Sequence, residues 1–111
     1  MKNFAIAAMT TVVAVLIGSS AVAKETRSLS DFLSDCSKNS RVCHGNLHDY
    51  LLAAKNQGFV CPPDDLSMDR AVSLELDWLR KEGAADAALY NGNAEDAQWT
   101  AITTLWPCKK D

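Results

Sequence analysis

The sequence lacks the short motifs that identify the common catalytic and cofactor-binding sites. It has no Cys-x-x-Cys pair for redox exchange or haem attachment, no glycine-rich phosphate loop and no Gly-x-Ser-x-Gly nucleophile elbow. It also has no internal repeat, low-complexity tract or long linker, so a single domain is the simplest expectation. These absences favour a binding protein over an enzyme, and the sequence indicates no cofactor.

Basic charge and long apolar runs are scarce as well. The 111 residues include 11 Lys and Arg against 14 Asp and Glu, whereas a surface for nucleic acid or an anionic membrane needs concentrated basic charge. The one long apolar run, from Phe4 to Gly18, is shorter than the roughly 20 residues that a membrane-spanning helix needs. We therefore expect no nucleic-acid partner and no membrane attachment of the mature protein.

Residues 1–23 have the layout of a secretory signal peptide. Lys2 precedes the apolar run, and small residues ending in Ala-Val-Ala at Ala23 follow it. We expect cleavage after Ala23, export to the bacterial periplasm and one mature domain over residues 24–111. The residue directly after the cleavage site is Lys24 and not a cysteine, which argues against lipid attachment there. The mature domain would carry ten Lys and Arg against 14 Asp and Glu, a net charge of −4 that suits a basic protein surface.

The mature domain contains four cysteines. A domain of this size buries a limited share of its surface, so its apolar core alone gives marginal stability. An even number of cysteines in a short exported chain favours structural disulfide bonds in an oxidising compartment. The cysteines are Cys36, Cys43, Cys61 and Cys108.

Capping residues and apolar spacing predict an all-α fold, a small four-helix bundle stapled by disulfides. Ser28, Ser67 and Asn93 are suited to N-caps, and Gly58 is suited to a left-handed C-terminal cap. No segment alternates with period two for long enough to indicate a strand. The predicted helices cover residues 29–38, 41–57, 68–82 and 94–106.

The ends and faces of these helices are also predicted. Asn39 and Ser40 should separate the first two helices, and Gly83 should end the third. Residues 83–93 fit either one or two helical turns or a non-helical turn. The residues expected to face inward on the last two helices are Met68, Ala71, Val72, Leu76, Leu79, Ala97, Ala101, Ile102 and Leu105.

Short connections favour an up-down-up-down bundle, which makes the cysteine positions informative. Cys36 ends the first helix and Cys43 begins the second, so both lie at one pole. Cys61 and Cys108 follow the second and fourth helices, so both lie at the opposite pole. Of the three possible pairings, this arrangement favours Cys36–Cys43 and Cys61–Cys108. In the chain-entropy model such bridges contribute about 2.5 and about 4 kcal/mol.

His44 and His48 are the obvious candidates for a metal site. They lie four residues apart on a predicted helix, with Asp49 beside them, and histidines at this spacing can bind one ion. Two ligands make a weak site, and the glutamate of the zinc-protease motif is missing between them. Polar residues at the edge of the apolar stripe are the favoured interpretation, and we expect no metal.

The aromatic residues indicate a protein-binding surface. At least one of Trp78, Trp99 and Trp106 should be partly exposed, although each alone is more often a core residue. Tyr90 is the better interface candidate, because it lies in a predicted loop and offers an apolar ring with polar reach.

Several motifs give the mature sequence a family resemblance. They are Phe32-Leu33-x-x-Cys36, Cys43 followed by Tyr50-Leu51, Cys61-Pro62-Pro63 with Leu66-Ser67, Trp78-Leu79 and Leu105-Trp106-Pro107-Cys108. In these features the chain resembles the Rap/Tai immunity proteins, periplasmic antidotes to peptidoglycan amidases of the type VI secretion system. The resemblance covers almost the whole mature domain.

The resemblance implies a helical, often dimeric protein that occludes the active site of a peptidoglycan amidase effector. In related immunity proteins the region between the third and fourth helices can reach the effector's catalytic cleft. The residues of that region that we expect to contact the partner are Asp86, Leu89, Tyr90 and Asn91.

An acid-activated periplasmic chaperone is the alternative function. Such chaperones are also short, helical, exported and disulfide-bonded, and they expose apolar surface when acid unfolds them or separates their dimers. The two expected disulfide bonds and the presence of only two histidines are weak evidence against a pH switch. A family member without a toxin partner is a third alternative.

Overall fold

The computed structural model describes residues 26–109. The predicted signal peptide and its cleavage site after Ala23 lie outside these residues. The described residues form five helices and no strand, which confirms the all-α bundle. The helices are α1 (Leu29–Lys38), α2 (Ser40–Asn56), α3 (Met68–Ala85), α4 (Ala87–Asn91) and α5 (Ala94–Leu105).

The three predicted N-caps are confirmed. The side-chain oxygens of Ser28, Ser67 and Asn93 each accept a hydrogen bond from the N–H three residues further on, over 3.0, 3.1 and 3.0 Å. Asn39 caps α2 in the same way, with 3.2 Å to the Val42 N–H, so this one residue separates α1 from α2. Each bond satisfies a donor that a helix start otherwise leaves unpaired.

The C-terminal cap of α2 is confirmed as well. Gly58 has a φ of +82°, in the left-handed region that glycine adopts without strain. The Phe59 N–H donates to the Ala54 carbonyl and the Gly58 N–H donates to the Lys55 carbonyl, both over 3.0 Å. These two bonds form a Schellman motif, which ends the helix and turns the chain towards Cys61.

The long helices α2, α3 and α5 follow the expected alternating course, but α1 differs. The Leu29 N–H donates to the Gly92 carbonyl, and the Ala94 N–H donates to the Arg27 carbonyl, both over 2.8 Å. These bonds hold the start of α1 beside the start of α5, while Cys36 is bonded to Cys43 near the start of α2. Both ends of α1 therefore lie at the same pole, and α1 crosses the end of the long helices.

The core consists of two clusters of buried side chains. The first cluster lies under α1, and the second lies at the pole where α2 and α5 end. Full burial of a large apolar side chain contributes roughly 1.5–3 kcal/mol. The fully buried large apolar side chains are Phe32, Leu29, Leu47, Val72 and Leu79 in the first cluster and Leu51, Ile102 and Val60 in the second.

Both predicted disulfide bonds are confirmed. Cys36 is bonded to Cys43 beside the first cluster, and Cys61 is bonded to Cys108 beside the second. The Cys61 N–H also donates to the Trp106 carbonyl over 2.9 Å. The bridges indicate an oxidising, extracellular-type environment.

The structure of α3 departs from the sequence analysis at two positions, Gly83 and Glu75. Gly83 does not end the helix, which continues to Ala85, because Gly83 is buried inside it and lacks a side chain that would obstruct its neighbours. Leu76 is partly buried and packs against the first core cluster as expected, but Glu75 next to it, which was not expected in the core, is fully buried. Apolar periodicity assigns polar residues to the surface, so it could not place Glu75 in the core.

The two disulfides should differ in what they contribute to stability. Replacing Cys61 and Cys108 together by serine should lower the free energy of unfolding by about 4 kcal/mol, because this bridge closes the longer loop. Replacing Cys36 and Cys43 together should lower it by about 2.5 kcal/mol. Urea unfolding of the oxidised proteins followed by circular dichroism measures both values, and the reverse order would contradict the loop-length argument.

Candidate functional site

A groove lies where α1 crosses the end of α3 and meets α4. Its volume is about 890 Å³. One wall is α1, and the other is the last turn of α3 together with α4, where most of the lining residues are glycine or alanine. The side chains that give the groove its character are Ser30, Asp31, Ser34, Ser37, Arg80 and Tyr90.

The short helix α4 is held by its N-cap residue, Asp86, and by the packing of Leu89. The Asp86 carboxylate accepts hydrogen bonds from the N–H groups of Ala88 and Leu89, over 3.0 and 3.3 Å. The Leu89 side chain is half-buried and packs against the first core cluster. One side of α4 therefore faces the core, and this fixes the direction in which the next residue points.

Gly83 allows Tyr90 to lie directly on α3. A Cβ atom built at Gly83 would stand only 3.3 Å from Tyr90 Cδ1 and 3.3 Å from Leu29 Cδ2. The tyrosine ring thus rests against the backbone of α3 while 39% of the residue stays exposed. A rigid aromatic ring at the rim of a groove is the kind of side chain that dominates protein interfaces.

The four predicted contact residues have different environments. Tyr90 lines the groove, and Asn91 is exposed at the end of α4. Asp86 is exposed but its carboxylate caps α4, and Leu89 points towards the core. The α1 side of the groove was not predicted, because nothing in the sequence indicates that α1 crosses the bundle.

The charges in the groove are of both signs. Asp31 and Arg80 both line it, and within residues 26–109 neither forms an ion pair. Ser30, Ser34 and Ser37 add hydroxyl groups along α1. Such a lining can accept and donate hydrogen bonds to a polypeptide segment, and its charged groups can each attract an opposite charge.

The two histidines remain on α2 without further ligands. His48 Nδ1 lies 3.3 Å from Asp49 Oδ1, and both side chains are solvent-accessible. Across the described part of the chain, no three His, Cys, Asp or Glu side chains are grouped so that they could hold a metal ion.

Within residues 26–109 no helix combines the length and apolarity needed to cross a membrane.

Glu75 is the most unusual ionisable residue of the core. It is fully buried, and neither carboxyl oxygen has a hydrogen-bond partner within residues 26–109. Gln98 on α5 is also buried, and its Oε1 atom has no hydrogen-bond partner within the same residues. Burial raises the pKa of Glu75 from 4.5 to about 8, because the ionised carboxylate is poorly solvated there.

No family model, no curated protein and no solved structure matches the chain in comparisons with known proteins.

Glu75 should make the protein more stable in acid than at neutral pH. Its pKa is higher in the folded than in the unfolded chain, so its contribution is complete below pH 4.5 and is lost as the pH rises towards 8. Relative to wild type, Glu75→Gln should therefore gain about 3 kcal/mol in unfolding free energy between pH 4 and pH 7. Asp77→Asn, which changes an exposed carboxyl on the same helix, is the matched control. Equal pH profiles of Glu75→Gln and wild type would contradict the prediction.

Proposed function

We propose that the protein is a periplasmic immunity protein that binds a peptidoglycan amidase effector and occludes its active site. The observation that carries this proposal is the presentation of Tyr90 at the rim of the groove. Its ring is supported by Gly83 on one side, and Leu89 and Asp86 fix the helix that bears it. An inhibitory segment needs such a fixed shape, since ordering a flexible segment would weaken binding.

The attachments that fix α1, one wall of the groove, support the same function. The Cys36–Cys43 bond fixes one end of α1, and the backbone bonds of Leu29 and Ala94 fix the other. A binder whose walls are fixed before it meets its partner loses little conformational entropy on association. Disulfide bonds also suit a protein that works in the compartment where a peptidoglycan-cutting toxin acts.

Charge favours a basic partner. After removal of the predicted signal peptide the chain carries a net charge of −4, and opposite net charges accelerate diffusional encounter. An enzyme that binds the anionic cell wall fits this requirement. Fast capture is useful to an antidote that must reach its toxin before the cell wall is cut.

The effect of Glu75 on stability argues against the alternative function, an acid-activated chaperone. An acid-activated chaperone must loosen at low pH, whereas protonation of Glu75 contributes stability at low pH. The buried carboxyl therefore opposes the transition that such a chaperone depends on.

Binding and inhibition by the exported, oxidised protein test the proposal. We expect one purified type VI amidase from the same genome to bind it and to lose its activity on peptidoglycan at equimolar ratio. Isothermal titration calorimetry gives the affinity, and release of cleaved muropeptides gives the activity. Full activity of every such amidase in the presence of excess protein would reject the proposal, as would cleavage of peptidoglycan by the protein itself.

Tyr90 should be a main contributor to this affinity. Tyr90→Ala should raise the Kd about 30-fold, which corresponds to about 2 kcal/mol, because an aromatic anchor is lost. Val42→Ala is the matched control, because Val42 is also an exposed apolar residue but lies at the start of α2. Equal Kd values for the two variants would show that the partner does not bind at the groove.

A further inference from the structure

Two exposed aromatic residues form a pair outside the groove. Phe59 follows α2 and is 55% exposed, and Trp99 lies in α5 and is 40% exposed. Their ring centroids are 5.6 Å apart, with an edge-to-face angle of 73°. Neither residue lines the groove between α1, α3 and α4. Exposed aromatic rings in contact with each other form a continuous apolar surface, which is typical of an interaction site.

Phe59 is held in place by the turn on which it lies. Its N–H group donates to the Ala54 carbonyl over 3.0 Å, and the next residue, Val60, is buried in the second core cluster. Cys61 then enters the bond with Cys108. The backbone on both sides of Phe59 is therefore fixed, and its ring is presented to solvent in a defined position.

The neighbouring threonines of α5 add little polarity to this surface. The Thr100 hydroxyl donates to the Asp96 carbonyl over 3.0 Å, and the Thr103 hydroxyl donates to the Trp99 carbonyl over 2.7 Å. Both hydroxyl groups are used within their own helix. The surface around Trp99 is consequently more apolar than its composition suggests.

Two carboxylates lie one turn before Trp99 on the same helix. Glu95 and Asp96 offset the helix dipole at the start of α5, which accounts for acidic residues there. Within the described chain neither forms an ion pair. Tyr50 on α2 lies within their field: its pKa is raised to about 12, mainly by burial and further by Glu95, Asp96 and Glu75. Glu95 and Asp96 thus place two carboxylates on the same stretch of α5 as Trp99.

We infer that Phe59, Trp99, Glu95 and Asp96 form a docking surface for a lysine- or arginine-rich segment of another protein. The faces of aromatic rings attract cations, and arginine can stack on a tryptophan while its guanidinium group reaches a carboxylate. The Glu95 and Asp96 carboxylates supply negative charge for the lysine or arginine side chain, one helical turn from Trp99. A second copy of this chain suits the surface less well, because it would bring like charges together.

This inference goes beyond the proposed inhibition, because it involves no residue of the groove. It is tested on the oxidised protein with a peptide of about twelve residues in which arginine and serine alternate. Amide NMR spectra should show peptide-induced shifts centred on residues 59, 95, 96 and 99 and on the Trp99 indole. The same peptide with glutamate in place of arginine should cause none.

Matched variants separate this surface from the general acidity of the protein. Glu95→Gln with Asp96→Asn should raise the Kd of the arginine peptide at least fivefold. Asp77→Asn with Glu82→Gln removes the same charges from α3 and should change it less than twofold. Phe59→Ser with Trp99→Gln, checked for an intact fold, should weaken binding about tenfold without altering charge.

Three results would overturn the inference. Shifts spread evenly over all acidic residues would indicate unspecific attraction. An equal rise of the peptide Kd in Glu95→Gln with Asp96→Asn and in Asp77→Asn with Glu82→Gln would indicate the same. Concentration-dependent shifts at Phe59 and Trp99 without peptide would identify a second copy of the chain as the occupant.

Discussion

The position of α1 depends on attachments at both of its ends, and the groove depends on the position of α1. At one end the Cys36–Cys43 bond ties it to α2, and at the other two backbone hydrogen bonds join residues 27–29 to residues 92–94. The side chains of Leu29 and Phe32 on α1 are also fully buried. A helix of ten residues has little stability of its own, so its place across the bundle follows from these tertiary contacts.

The second disulfide has a corresponding effect at the opposite pole. It joins the chain just after α2 to the chain just after α5, beside the cluster that contains Leu51, Val60 and Ile102. The turn that presents Phe59 lies directly before this bond. Each bridge thus supports a different surface, the groove at one pole and the aromatic pair near the other. A small core that could not fix both surfaces alone does so with two covalent links.

Much of the fold could be predicted because its signals are local. Ser28, Ser67 and Asn93 cap helices through their own side chains, and Gly58 ends α2 through its own backbone conformation. The disulfide pairing followed from which helix ends share a pole, and this was right although the course of α1 was not. The features that were missed depend on contacts distant in sequence.

The candidate site was less predictable for the same reason. Tyr90 was predicted as a contact residue because it lies in a connecting segment and offers an apolar ring with polar reach, but the opposite wall of the groove required the position of α1. Gly83 looked like a helix end, whereas its missing side chain allows Leu29 and Tyr90 to approach α3. Glu75 has no sequence signal, since a carboxyl in an apolar stripe is normally at the surface.

Amide hydrogen exchange tests most directly whether the Cys36–Cys43 bond holds the groove together. We expect replacement of both cysteines by serine to lower protection in α1 and α4 at least tenfold more than in the second half of α2 and in α5, where only the global loss of about 2.5 kcal/mol acts. An equal loss of protection in all of these helices would contradict the account, because the bond would then have no local effect on the groove.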